Sequence, residues 1–292
     1  MVLCALFLLS LVIFGLATRV RDETFVSGRD DRSLDARTLA YSGVQIALHP
    51  QASVRTPALR RKLDAGHQYQ VQLAGEGGKI NLNWLLVNED QKKLDLFKTY
   101  LENKGLGYQE REVFVDCLLD WVKSGDTHHL NGSKVGLDGQ PVPGRPFQDV
   151  AEVTRVVGSR PLTRLAGWEK DFTLLSQGAI DLQWASEEII GALPGVGPSR
   201  GRQFVRQRRG QDGLDGTPDD IQLTQGDPSL VIPQLLGLSP EVYTTMIIPL
   251  TTSNDPTVRI ISVGQAYDVK RTLEVVARKQ GAQPQLLSWK EY

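Results

Sequence analysis

Apolar residues open the chain without interruption. Val2 to Ala17 carries no charge, and Arg19, Arg21, Asp22 and Glu23 follow at once. Sixteen helical residues reach roughly 24 Å, short of the ~30 Å hydrocarbon core of a bilayer. Three readings stand for this run: a cleaved signal peptide ending at Gly15-Leu16-Ala17 but lacking a basic start, a soluble core helix, or a membrane anchor. The next segment favours the anchor. From Asp30 to Leu48 the spacing is helical, with Leu34, Tyr41, Val44 and Leu48 on one stripe. Ala36, Ala40, Gly43 and Ala47 lie on a flanking stripe, and no proline comes before Pro50. The pattern predicts one helix of about fifty residues, a transmembrane anchor over 1–18 with an amphipathic continuation over 19–49.

Alternation takes over further on. Tyr69 to Leu73 predicts a half-buried strand, and the turn at Gly75 to Gly78 predicts a hairpin into Lys79–Leu82. Trp84 to Leu119 reads as helices, with Leu94, Phe97 and Leu101 on one face and Val113, Phe114, Leu118 and Trp121 on another. Gly125 to Gly144 is a polar loop, Phe147 to Val157 a short helix, and Phe172 to Leu175 a strand. Past an acidic turn at Gly210 to Asp220, the stretches Tyr243–Leu250, Arg259–Val263 and Leu273–Arg278 predict strands, with Gln285–Trp289 as a last edge strand. The layout is α+β: a sheet domain over 50–83 and 211–292, split by an inserted α-helical domain over 84–210.

One unit recurs within this layout. Gly78-Lys79-Ile80-Asn81-Leu82-Asn83-Trp84-Leu85 returns as Gly178-Ala179-Ile180-Asp181-Leu182-Gln183-Trp184-Ala185. Each copy reads as a short strand, a polar helix start and an amphipathic helix. Two copies about a hundred residues apart make a duplicated scaffold, not a solenoid.

Composition adds exclusions. The 292 residues suffice for one large domain or two ordinary ones, and 40% hydrophobic with 23% charged residues is ordinary for a folded chain. A net charge of −1 supplies no global field for nucleic acid or an anionic membrane, so any such argument is local. Cys117, beside Leu118 and Leu119, reads as a small core residue, and the five tryptophans as core or interface anchors. The chain has no Walker loop or dinucleotide fingerprint, so no enzyme class is indicated and no catalytic residue is expected.

Three clusters carry candidate chemistry. Asp212, Asp215, Asp219 and Asp220 lie on a glycine-containing turn that could supply oxygen ligands to Ca²⁺, or could be a solvated acidic turn; the spacing is not that of an EF-hand. His128-His129, near Asp126, reads as a solvated pair. Leu193-Pro194-Gly195-Val196-Gly197 looks like the hairpin of a helix-hairpin-helix motif, with Arg200, Arg202, Arg206, Arg208 and Arg209 behind it. Exposed N–H groups and arginines there would suit a phosphate backbone, the basis of a rival reading as a membrane-tethered DNA-binding protein of the competence-receptor type. Because the rest of the chain is not basic, nucleic acid is not the expected partner.

In order along the chain, five elements resemble the minor pseudopilins of type II secretion systems, specifically the general secretion pathway protein K class. Asp35-Ala36-Arg37-Thr38-Leu39-Ala40-Tyr41-Ser42-Gly43-Val44 is similar to that family's helix, with its Arg-x-x-Ala-x-x-Gly pattern. Gly77-Gly78-Lys79-Ile80-Asn81-Leu82-Asn83 resembles its glycine-flanked Ile-Asn-Leu-Asn, and Leu118-Leu119-Asp120-Trp121-Val122 its Leu-x-Asp-Trp-Val. Pro143, Pro146, Phe147 and Glu152 resemble the segment that follows, and Leu287-Ser288-Trp289-Lys290-Glu291 the terminal strand. The chain departs from the pattern at Lys123, where the family often has an acidic residue, and at Asp181-Leu182-Gln183, which replaces Asn-Leu-Asn.

The resemblance implies a pilin-like long N-terminal helix packed on an antiparallel sheet, with the helical domain inserted. It implies a non-catalytic subunit that starts or caps the tip of a periplasmic pseudopilus beside two other minor pseudopilins. The implied partners also include inner-membrane secretion components, the membrane itself through residues 1–18, and exported substrates at the helical domain. The stripe of Leu34, Tyr41, Val44 and Leu48 would be shared between the protein's own sheet and neighbouring subunits.

Overall fold

The computed structural model describes residues 30–281 and 283–292, so the expected anchor over 1–18 lies outside the described residues. Among the described residues, no helix is long and apolar enough to cross a membrane. Residues 30–48 form helix α1. Strands β1 (Arg60–Lys62), β2 (His67–Gly75) and β3 (Ile80–Asn81) precede helices α2 (Leu82–Leu86), α3 (Gln91–Asn103), α4 (Tyr108–Val122) and α5 (Arg160–Thr163). Then come β4 (Phe172–Thr173), β5 (Ile180–Asp181), α6 (Glu187–Gly191), α7 (Gly197–Arg208), α8 (Pro228–Leu236) and α9 (Pro240–Val242). Strands β6 (Thr251–Thr252), β7 (Thr257–Ala266), β8 (Val269–Arg278) and β9 (Gln285–Glu291) close the chain.

Contacts divide the chain into two compact units. One takes the chain up to Leu73 with Ile260–Val275 and Ser288–Tyr292; the other takes Ala74–Arg259 with Val276–Leu287. The first contains α1 and most of a sheet of order β1-β2-β7-β8-β9, in which β1 and β2 run antiparallel with Arg60 opposite Gln70 and Lys62 opposite Gln68.

Small side chains decide how α1 sits. Ala36, Ala40, Val44 and Ala47 are fully buried. A Cβ on Gly264 of β7 would strike the Ala36 carbonyl and the Ala40 amide, and one on Gly43 would strike Ser262 and Val71. Strand and helix backbones therefore touch at Gly264, and at Gly43 the helix backbone meets the strand side chains directly, a spacing that no larger residue permits. The Ser262 hydroxyl donates to the Ala40 carbonyl oxygen at 2.7 Å and satisfies a polar atom in that contact. The expected interface stripe is thereby split. Val44 and Leu48 are buried with the alanines, whereas Leu34 and Tyr41 are 61% and 49% exposed.

The second unit is built around the duplicated sequence. Strand β3 pairs in parallel with β4, and β5 pairs in parallel with β6, so each copy meets a later strand at Ile80↔Phe172 and Ile180↔Thr251. The copies interlock. Gly178, at φ +120°, lies against the ring of Trp84, and Gly78 lies against Trp184. Polar residues at matching places do matching work. Asn83 clamps a distant backbone by donating to the Phe147 carbonyl and accepting from the Phe147 amide at 3.0 and 2.8 Å. Gln183 does the same by donating to the Ile221 carbonyl and accepting from the Leu223 amide at 3.0 and 2.9 Å. Asn81 caps α2 by accepting from the Asn83 and Trp84 amides, and donates to the Ser176 carbonyl.

A single apolar cluster fills this unit. Phe97, Tyr100, Phe114 and Phe172 are buried together, and Trp121 stacks on Phe147 with centroids 5.8 Å apart. Each such side chain contributes about 1.5–3 kcal/mol. Cys117 belongs to this core, and burial pushes its thiol up to about 11, which leaves it inert.

Three expectations are corrected. The hairpin from β2 into Lys79–Leu82 does not form, because Asn81 turns the chain into α2 and Ile80-Asn81 finds β4 instead. Tyr243–Leu250 is helical: Ser239 caps the start, and the buried residues Tyr243, Ile247 and Leu250 follow the i, i+4, i+7 spacing of a helix face. Helices α8 and α9 therefore extend the helical region beyond 210, and the unit that holds it takes Ala74–Arg259 with Val276–Leu287.

Asp181 occupies the place that Asn81 holds in the first copy. It is fully buried, and burial first, then the neighbouring Asp255, raises its carboxyl from 3.8 to about 6, against the backbone bonds from Asp255 and Gln183 and the charge of Arg208. The folded state therefore binds this proton more tightly than the unfolded chain, so stability falls as pH rises from about 4 to about 6. A rise of that size corresponds to about 3 kcal/mol. Asp181→Asn is expected to flatten that slope in urea unfolding followed from pH 4 to 7; an unchanged slope would assign the effect elsewhere. Gly178→Ala is expected to lower the unfolding free energy by about 1–3 kcal/mol through overpacking against Trp84, measured as the urea midpoint at fixed pH.

Candidate assembly surface and acidic turn

Two faces collect the residues that the sequence points to. The first is the outer side of α1 in the smaller unit. Tyr41 and Trp289 of β9 hold their rings 5.9 Å apart, both substantially exposed, and Leu34 lies two helical turns before Tyr41. Ion pairs at both ends keep this face in place: Arg37 with Glu291 at 2.9 Å and Arg32 with Asp268 at 3.0 Å. Strand β9 is an edge of the sheet. Exposed aromatics beside an edge strand combine apolar area with unpaired backbone groups, the chemistry of a protein contact. Trp289 was read from the sequence as an anchor on an edge strand; its pairing with Tyr41 needed the fold.

The second is the acidic turn. Carboxylate oxygens of Asp212, Asp219 and Asp220 lie within 4.8 Å of one another. Asp219 accepts from the Thr217 hydroxyl and from the Gln211 and Asp212 amides, which hold its carboxyl down at about 2. Asp220 accepts from the Gly216 and Thr217 amides. Asp215 points away from the group. It accepts from Arg208 and Arg209, both at 2.7 Å. The expected four-carboxylate set is thus three, because two arginines claim the fourth.

Those arginines also change the reading of the basic run. Arg208 is 1% exposed, donating to the Leu182 and Ala185 carbonyls as well as to Asp215. It ties α7 to the second repeat copy. A buried guanidinium with three protein acceptors is unavailable to a nucleic acid, and Arg209 is engaged by the same carboxylate.

The sequence suggests a solvated His129; the structure gives it partners. Its Nδ1 lies 2.7 Å from Asp120 Oδ1 and its Nε2 lies 3.2 Å from Glu89 Oε2. Burial opposes the imidazolium, but the two carboxylates outweigh it and raise the imidazole above its ordinary range. Asp120 is fully buried, and the His129 amide also donates to it. The acid of Leu-x-Asp-Trp-Val therefore fastens the polar loop to α4. The separation of nine residues between acid and imidazole hid this pair.

No family model and no curated protein matches the chain. Among solved structures it is similar to a chain in the crystal structure of the GspK-GspI-GspJ complex from the type 2 secretion system of enterotoxigenic Escherichia coli. The identity is 14% and the TM-score 0.56, over 94% of this chain and 99% of that one. The chain has the fold of a subunit of that complex. At this identity the likeness is one of architecture, and it meets the protein K resemblance drawn from the five sequence elements.

Proposed function

We propose that this protein is a minor pseudopilin that starts or caps the tip of the periplasmic pseudopilus in type II protein secretion, a structural role without catalysis. The observation that supports this most is the shared fold, over nearly the whole of both chains, with a subunit of a complex whose other named members are GspI and GspJ. By this reading its partners are other minor pseudopilins and inner-membrane secretion components. Residues 1–18 anchor it in the inner membrane, and the folded part lies in the periplasm. Leu34 and Tyr41, with Trp289, form the lateral contact, while Val44 and Leu48 seat α1 on its own sheet. The larger unit does the capping and meets exported proteins. For the competence-type alternative, the inward-turned Arg208 and the net charge of −1 offer no support.

Calcium belongs to the same proposal. Asp212, Asp219 and Asp220 offer the hard oxygen donors that Ca²⁺ takes, on a turn already ordered by backbone bonds.

Two measurements test these statements. Co-expressed with the other minor pseudopilins of its own secretion system, the protein is expected to co-purify with them. Tyr41→Ala is expected to weaken that complex about tenfold or more without lowering the melting temperature, as loss of an aromatic anchor does. A wild-type protein that stays alone ends the assembly reading. Separately, Ca²⁺ at about a hundred times its dissociation constant stabilises a binding fold by about 2.7 kcal/mol. The melting temperature is expected to rise with Ca²⁺, fall back with EDTA, and stop responding in Asp219→Asn. No response in the wild type removes calcium from the account.

A further inference from the structure

The sheet of the smaller unit carries a concave surface that the proposed assembly contact does not use. A groove of about 600 Å³ runs over strands β1, β2, β7 and β8. Its lining includes Arg60, Lys62 and Lys270 as cations and Gln68, Gln70 and Gln265 as amides, with no carboxylate. The register explains the grouping. Arg60 stands opposite Gln70 and Lys62 opposite Gln68, and directly paired residues share a face. Gln68 then donates to Gln265 across β2 and β7 at 3.0 Å.

Pairing of cations is the habit of this chain, as at Arg32–Asp268, Arg37–Glu291, Lys98–Glu112 and Arg155–Asp138. Among the described residues it fails at this groove. The two acids on the adjoining turns are already engaged: Asp64 accepts from the Gly66 and His67 amides, and Asp268 holds Arg32. Among the described residues no ion pair engages Arg60, Lys62 or Lys270, so like charges are gathered on one concave face, an arrangement that raises the local positive potential.

Position adds a second argument. Strand β1 is exposed along its length and lies at the edge of the sheet, with β2 as its neighbour. Edge strands leave backbone N–H and C=O groups unpaired, and lysine or arginine there repels another edge of the same kind. The same charges admit a strand that is acidic. A concave trough beside a free edge fits an extended chain, whereas a bilayer surface is flat.

We infer that this groove is a docking site for an acidic, extended segment of a partner protein. The segment's carboxylates meet Arg60, Lys62 and Lys270, and its backbone pairs with the free edge of β1. The attraction is screened as salt rises.

The test is fluorescence anisotropy of a labelled oligoglutamate peptide titrated with the protein at low and at physiological salt. The wild type is expected to bind, more weakly at the higher salt. Arg60→Glu with Lys62→Glu is expected to cut affinity about tenfold or more, with the melting temperature unchanged because both side chains are exposed. Arg202→Glu, a charge reversal on α7, is expected to bind like the wild type. Absence of binding at low salt, retention of binding by the double variant, or an equal loss in Arg202→Glu each overturns the site. Capture of phosphatidylglycerol–phosphatidylcholine vesicles through Arg60 and Lys62, without peptide binding, overturns it in favour of a lipid surface. None of these outcomes bears on co-purification with minor pseudopilins, so the two readings fail separately.

Discussion

Trp84 and Trp184 each occupy space that the other copy of the repeat leaves empty. The ring of Trp84 rests where Gly178 has no side chain; Gly78 lies against the backbone and Cβ of Trp184, whose ring rests on Gly75. That exchange brings β3 and β5, about a hundred residues apart in sequence, into one unit. Each copy then reaches outward through an amide clamp, Asn83 to the segment at Phe147 and Gln183 to the segment at Ile221–Leu223. The long polar loop before Phe147 and the acidic turn before Ile221 are thus fastened at their far ends. Each tryptophan is half-buried, and each ring packs on a glycine outside its own copy, so the two halves of the interlock stabilise each other.

Buried charge follows the same architecture. Glu76, 1% exposed, accepts from Arg259 and Thr173 and pairs with Lys79. Burial opposes its ionisation, yet the Arg259 bond and the two cations hold its carboxyl below the usual range. Asp181 has only backbone amides and a distant guanidinium against a neighbouring acid, so burial prevails there. The contrast comes from partners, since both groups lie at similar depth. Such groups are costly to bury unpaired, and they tie register to charge where the strands β3 to β6 are only two residues long.

In the smaller unit the governing constraint is distance. With glycine at Gly43 and Gly264, and alanine along the same face, α1 can lie directly on β7. Larger apolar residues are then left outward, which is why Leu34 and Tyr41 are exposed on a helix that also buries Val44 and Leu48. A helix that packs by its small face leaves its bulky face outward. The opposite side of the same sheet bears the unpaired cations, so one unit presents an aromatic surface and a basic one.

Much of this was legible in the residues. Helical spacing marked α1, α3 and α4, alternation marked β2, and repeated Gly-x-Ile-(Asn/Asp)-Leu-(Asn/Gln)-Trp marked the duplicated unit, because these signals are local and periodic. The α+β class followed from their order. What the chain alone left undecided was partnership: that Ile80-Asn81 pairs with Phe172-Thr173 and not with β2, that Asp215 turns to Arg208 and leaves the acidic turn with three carboxylates, and that His129 belongs to Asp120. It also left open which stripe of α1 is covered, and the small residues won because backbone contact demands the shortest side chains. Periodicity is a property of neighbours in sequence, whereas these pairings are set by which distant groups reach one another once the core has closed. Only the packed structure contains those distances.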